Sequence, residues 1–124
     1  MDRPSGARRV GAARPDRGWQ ATLNRGAIYD VELASGRRPA VVVTRDGAIP
    51  FLANITVAAV TATIRDLPTE VPLGREHGLA RECVVNCDNL FTIPKSALGP
   101  RRGELDPQSL LRLRNALRIA LDLD

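Results

Sequence analysis

No stretch of this chain approaches the ~20 consecutive apolar residues that a membrane helix needs. Arginines stand near its start with no apolar segment behind them, so a secretory signal is not expected and a cytoplasmic location is. Histidine occurs once, at His77, and cysteine twice, at Cys83 and Cys87. A structural zinc wants four ligands, and these three residues fall short, so no metal and no cofactor are expected. A disulfide is not expected in a reducing compartment either. In Cys83-Val84-Val85-Asn86-Cys87 a strand would put both sulfurs on one face, where they read as small buried side chains.

At 124 residues and 44% hydrophobic content the chain can form one domain, or one domain with a tail. A core this small is marginal, and a homodimer would bury more apolar surface. The net charge of +4 is not spread over the chain. Residues 1–26 hold six arginines against Asp2 and Asp16, and the rest carries twelve basic and twelve acidic side chains. Basicity therefore belongs to the N-terminal arm, and any basic site in the domain must be local.

Residues 1–23, rich in Arg, Gly, Ala and Pro, are expected to be a disordered arm, because they cannot bury enough surface to offset ordering entropy. Trp19 is its one anomaly, either packed on the domain or free in the arm. The domain then spans 24–124. From Ala27, Ile28, Asp30 and Glu32 alternate with Tyr29, Val31 and Leu33, the period of two of a strand with one buried face. Ala34 to Arg37 reads as a turn, Pro39 to Thr44 as a second strand, and Asp46-Gly47 as another turn. Further strands are expected over Thr56–Thr61, over Thr69–Leu73 at a sheet edge because of Pro72, and over Glu82–Asn86. Gly74 to Ala80 reads as loop, and Leu90–Ile93 as a continuation or a sixth strand.

At the C-terminus the period changes. Asp106-Pro107 is a helix start, the Asp capping free N–H groups and the Pro taking the first helical position. Leu110, Leu113, Leu117 and Leu121 then form an apolar stripe, widened by Leu111 and Ala120. Arg112, Arg114 and Arg118 take the other side as a solvated face. Together these elements predict a mainly β fold with a C-terminal helix, a small barrel-like sheet on which the helix packs.

Two polar residues punctuate the apolar strands. Arg38 stands just before the run Ala40–Val43, and Thr61 closes the run Ile55–Val60. If these strands pair antiparallel, a guanidinium and a hydroxyl can meet on one phosphate. The competing readings are a salt bridge from Arg38 to Glu32 and an ordinary β-favouring threonine. Asn86, Asp88 and Asn89 cluster after a strand, to read bases or to build an Asx-type turn.

Arg25-Gly26-Ala27-Ile28-Tyr29, Arg38-Pro39-Ala40-Val41-Val42-Val43 and Val57-Ala58-Ala59-Val60-Thr61 resemble the MazF/PemK family of toxin endoribonucleases. The order Leu67-Pro68-Thr69-Glu70-Val71, Val84-Val85-Asn86-Cys87-Asp88-Asn89 and Thr92-Ile93 does so too, as does the closing Asn115-Ala116-Leu117. The resemblance covers about residues 24–123 and rests on order and spacing. It implies an SH3-like barrel, a homodimer, and cleavage of single-stranded RNA at short motifs without a metal. A cognate antitoxin would cover the RNA groove. The family's catalytic arginine falls on Arg38 and its catalytic threonine or serine on Thr61, while Arg25 and Gly26 match its strand-opening Arg-Gly. Many members carry a longer loop with a Ser-Glu-Gln-type motif before the arginine. Here that loop is only Ala34-Ser35-Gly36-Arg37 and supplies no carboxylate.

RNA carries its own nucleophile, the 2′-hydroxyl, so alignment with phosphorus yields a 2′,3′-cyclic phosphate and a 5′-hydroxyl. Arg38 suits neutralisation of the phosphoryl oxygens, and Thr61 suits donation to one of them. Arg25, Gly26, Asn86, Asp88 and Asn89 are the expected substrate-binding residues. Arginine titrates too high for an ordinary base, and His77 falls in an expected loop, so no general base is identified. The alternative is a non-catalytic barrel toxin that binds a protein target such as gyrase.

Overall fold

A computed structural model describes residues 23–124 of the chain. Six strands, all paired antiparallel, are followed by one helix: β1 Ala27–Leu33, β2 Gly36–Val42, β3 Asn54–Thr61, β4 Glu70–Leu73, β5 Cys83–Pro94, β6 Leu98–Glu104 and α1 Pro107–Ala120. Their order in the sheet is β4-β5-β3-β2-β1-β6. Short 3-10 turns occupy Ile49–Phe51, Arg75–His77 and Lys95–Ala97. The arm and Trp19 lie outside the described residues, except Leu23, which is buried in the core rather than belonging to a tail.

β4 and β6 are the two edges of the sheet, yet the loop after β4 meets β6. A Cβ added at Gly78 would overlap the Arg102 carbonyl, and one added at Gly103 would overlap the His77 carbonyl. The sheet must therefore curl until its edges nearly meet, which makes it a half-barrel. Gly78 also has φ 88°, so glycine answers two demands there, the left-handed backbone and the close approach.

The central strands are buried on both faces, which is why Ala40–Val43 reads as an unbroken apolar run rather than an alternation. On one face Ile28, Val41, Ala58, Val60 and Val85 pack under Leu113, Ala116 and Leu117 of α1. On the other, Tyr29, Val31, Ala40, Val42, Ile55 and Val57 pack with Leu23 and Ile49. The helix is capped as its sequence predicts: the Asp106 side chain accepts a hydrogen bond from the Ser109 N–H, with Pro107 in the first turn. Leu111 and Leu121 depart from the expected stripe, being 56% and 52% exposed. Leu111 has turned off the packed face, and Leu121 follows the helix as its C-cap.

Other strand expectations are adjusted by pairing. β2 begins at Gly36, inside the expected turn, and ends at Val42. β5 runs without a break through Cys87–Asn89, where it carries three residues that have no partners on β3, Ala58 pairing with Leu90 and Ala59 with Asn86. β6 (LGPRRGE) was not foreseen. Pro72 does sit on an edge strand, and Cys83 and Cys87 are buried free thiols on the helix-covered face.

Candidate active site

The β2–β3 register pairs Ala40 with Ala59, Val41 with Ala58 and Val42 with Val57. Continued two residues toward the end of β3, it sets Arg38 opposite Thr61. Directly opposed residues of an antiparallel pair point to the same face. Both belong to the face of Ala40 and Val57, away from α1. The guanidinium and the hydroxyl thus share one side of the sheet at the rim of the second apolar cluster, each half-buried.

Among the described residues no carboxylate holds Arg38. Its Nε is buried with no hydrogen-bond partner among the described residues. The expected alternative, pairing with Glu32, fails on strand periodicity: Glu32 faces Arg37 across the ladder, and Val31 faces Arg38. Glu32 accordingly bridges Arg37 at 3.1 Å, from the opposite face. A buried donor left unpaired carries a desolvation cost of about 1–3 kcal/mol, which an incoming phosphate oxygen would relieve. The Thr61 oxygen accepts the Thr63 N–H at 3.1 Å, so its own proton remains available to donate.

The other expected site residues are placed less uniformly. Gly26 is buried, has φ 94°, gives its N–H to the Val42 carbonyl and receives the Leu105 N–H on its own carbonyl. A Cβ there would lie 2.6 Å from Leu110 Cδ2. Glycine here lets α1 approach the start of β1. Arg25 sits toward the far end of β2, since Gly26 bonds Val42, and so is not brought to Arg38 and Thr61. Its Nε too is buried without a partner among the described residues, and its charge acts on Cys87.

Asn86 lies across from Ala59 on β3, with Val84 across from Thr61. Two residues along one strand return to the same face, so Asn86 is a diagonal neighbour of Thr61, ~7–8 Å away. Of the two readings, the turn is present in the structure. The Asn86 Oδ1 accepts the Asp88 N–H at 2.9 Å, an Asx turn, while Asp88 and Asn89 stay exposed. Sequence reading missed what secures them: the Thr69 hydroxyl donates to Asp88 Oδ2 at 2.6 Å. This contact spans nineteen residues and leaves no local signal.

His77 takes no part in this face. It is 4% exposed, its Nδ1 accepts the Gly74 N–H, and its Nε2 contacts Asp106 Oδ1 at 2.8 Å and Ser109 Oγ at 3.2 Å. Since both partners meet the same nitrogen, the trio cannot relay a proton from Ser to Asp through the ring as a nucleophilic triad does. It fastens the loop after β4 to the helix start. Hydrogen bonds from the Ser109 side chain, then from His77, hold the Asp106 carboxyl well below the usual carboxylate range. Beside this trio a cleft of about 1040 Å³ wraps the edge strand β4, and neither Arg38 nor Thr61 lines it. Among the described residues no cluster of His, Cys, Asp and Glu could hold a metal ion, and no helix is long and apolar enough to cross a membrane.

The family model for the PemK-like, MazF-like toxin of type II toxin–antitoxin systems matches residues 24–121. The chain is 44% identical over 87 residues to endoribonuclease MazF3 of Mycobacterium tuberculosis, a match covering 70% of this chain and 84% of that protein. Its fold is similar to that of the Mycobacterium tuberculosis toxin MazF-mt6, with TM-score 0.75 and 41% identity over 79% of this chain and 98% of the other. It is also similar to a mycobacterial endoribonuclease solved in complex with its cognate antitoxin, with TM-score 0.76 and 31% identity over 82% and 97% of the two chains.

Proposed function

The chain belongs to the PemK-like, MazF-like toxins of type II toxin–antitoxin systems, and from that membership we propose that it is the toxin endoribonuclease of such a pair, cutting single-stranded RNA in the cytoplasm until a cognate antitoxin covers the groove. The observation that carries the assignment of the site is the opposition of Arg38 and Thr61 across β2 and β3, with the Arg38 Nε unpaired among the described residues. The gyrase-binding alternative has no counterpart among the relatives named above.

In this mechanism the RNA 2′-oxygen attacks the adjacent phosphorus, the 5′-oxygen leaves, and the products are a 2′,3′-cyclic phosphate and a 5′-hydroxyl. Arg38 binds the nonbridging oxygens with a planar, permanently charged donor set. Thr61 donates its hydroxyl proton to the same phosphoryl group, its oxygen steadied by the Thr63 N–H. Both stabilise charge that grows as the pentavalent phosphorus forms, and one such donor is worth roughly 10²–10³ in rate. Arg25 contacts a phosphate further along the strand, and Asn86, Asp88 and Asn89 meet bases. A homodimer agrees with the exposed Leu111 and Ile119, which lie eight residues apart on one helix face.

The test is incubation of the purified protein with single-stranded RNA in EDTA, with the product ends identified chemically. Cleavage to cyclic phosphate and 5′-hydroxyl ends, lost in Arg38→Ala, is the expected result. Absence of cleavage, or an Arg38→Ala variant as active as the parent, would overturn the proposal.

A further inference from the structure

β4 is only four residues long, yet its start is gripped from two directions. The Glu70 Oε1 accepts the Arg65 N–H at 3.0 Å and the Leu67 N–H at 3.4 Å, and the Glu70 N–H returns to the Leu67 carbonyl. These bonds fix the loop that leaves Thr61. The preceding residue, Thr69, is 6% exposed and holds the unpaired segment of β5 twice: its carbonyl accepts the Cys87 N–H at 2.9 Å, and its hydroxyl donates to Asp88. Asp88 in turn donates its N–H to Asn86 Oδ1. Since that oxygen is the acceptor, the Asn86 Nδ2 must be the end left over. Among the described residues Nδ2 has no partner, and its side chain shares the face of Thr61 and Arg38.

We propose that Thr69 is a positioning residue for base recognition: through Asp88 it fixes the Asn86 carboxamide so that Nδ2 donates to the keto oxygen of a nucleobase next to the scissile phosphate. The proposal rests on the endoribonuclease reading above. The chemistry selects one class of base edge. A fixed N–H donor meets O4 of uracil or O6 of guanine favourably, and meets the amino group at the same place on cytosine or adenine donor against donor. A carboxamide free to flip would present either end and distinguish neither class. The fixed turn is therefore what converts a common side chain into a discriminating one.

The experiment uses a panel of short RNAs that vary one base at a time around the cleavage site, cut by the parent, Thr69→Val, Thr69→Ser, Asn86→Asp and, as reference, Arg38→Ala. Valine keeps the buried shape of Thr69 without its hydroxyl, and serine keeps the hydroxyl. Thr69→Val should raise KM on the preferred RNA and reduce the keto-over-amino preference at one position about tenfold, the size of one oriented hydrogen bond, with kcat nearly unchanged. Thr69→Ser should restore the preference. Asn86→Asp still accepts the Asp88 N–H and presents an acceptor in place of the donor, so it should shift the preference toward the amino base. If either Thr69→Val or Asn86→Asp keeps the parent's preference, or if Thr69→Val lowers kcat equally on every RNA, the proposal is overturned. A parent that cuts none of the RNAs overturns the function beneath it, which is a distinct result.

Discussion

Replacing Arg38 by methionine should move activity and stability in opposite directions. Methionine preserves the aliphatic stem that packs at the rim of the sheet while deleting the guanidinium, so the perturbation is confined to the charged donor. In the folded protein that donor's Nε is buried without a partner among the described residues, and such an orphan costs about 1–3 kcal/mol of desolvation. Taking the lower end, because the residue is half-buried and water reaches the rest of the guanidinium, the variant should gain about 1 kcal/mol. For a domain of this size that is a melting rise of roughly 4–8 °C. Cleavage should meanwhile fall roughly 10²–10³-fold, or about 2.7–4 kcal/mol at 1.36 kcal/mol per decade. Calorimetric melting and single-turnover cleavage of one RNA, run on the same preparations, read both quantities. A variant that melts several degrees below the parent, losing activity only in proportion to its unfolded fraction, would refute the reasoning, because Arg38 would then be a structural residue.

Gly78→Ala should destabilise the fold by about 2–4 kcal/mol, since the new methyl meets backbone rather than a movable side chain and φ 88° is already strained for alanine; a denaturant midpoint equal to the parent's would sink this. The Asp106 carboxyl is held below its usual range, so the stability it contributes is complete above the unfolded value of about 3.9 and drains away as pH falls below it. Melting followed from pH 7 downward should drop steeply below about pH 4 in the parent and less so in Asp106→Asn; identical acid slopes would contradict it. Burial, then the Asp88 carboxylate, push the Cys87 thiol up to about 11 against the opposing pull of Arg25. In a Cys83→Ser background, iodoacetamide at pH 8 should label native Cys87 far more slowly than the unfolded chain by mass spectrometry, and equal rates would show the thiol to be open.

The opposition of Arg38 and Thr61 was legible because it needs only a period of two and the choice of antiparallel partners, both of which apolar runs announce. The same arithmetic held the answer to Glu32: with Arg37 opposite it, Arg38 had to face the other way. The helix was legible from Asp106-Pro107 and its leucines, though not which of Leu111 and Leu121 would stay outside. β6 was hidden because Gly99, Pro100 and Gly103 erase any alternation; that strand exists through its pairing with β1, irregular at two points. The need at Gly26 for a left-handed backbone and for room beneath Leu110 arises only when the helix folds back, so no local pattern announces it. Thr69 was invisible for the same reason, its partner being nineteen residues away.

The three extra residues of β5 interrupt only the flank of β3 that faces away from β2. Residues could be gained or lost in that segment while the arginine and threonine kept their mutual register. On the proposed reading, changing that one short insertion would alter which bases are met while leaving the arginine–threonine pair in place.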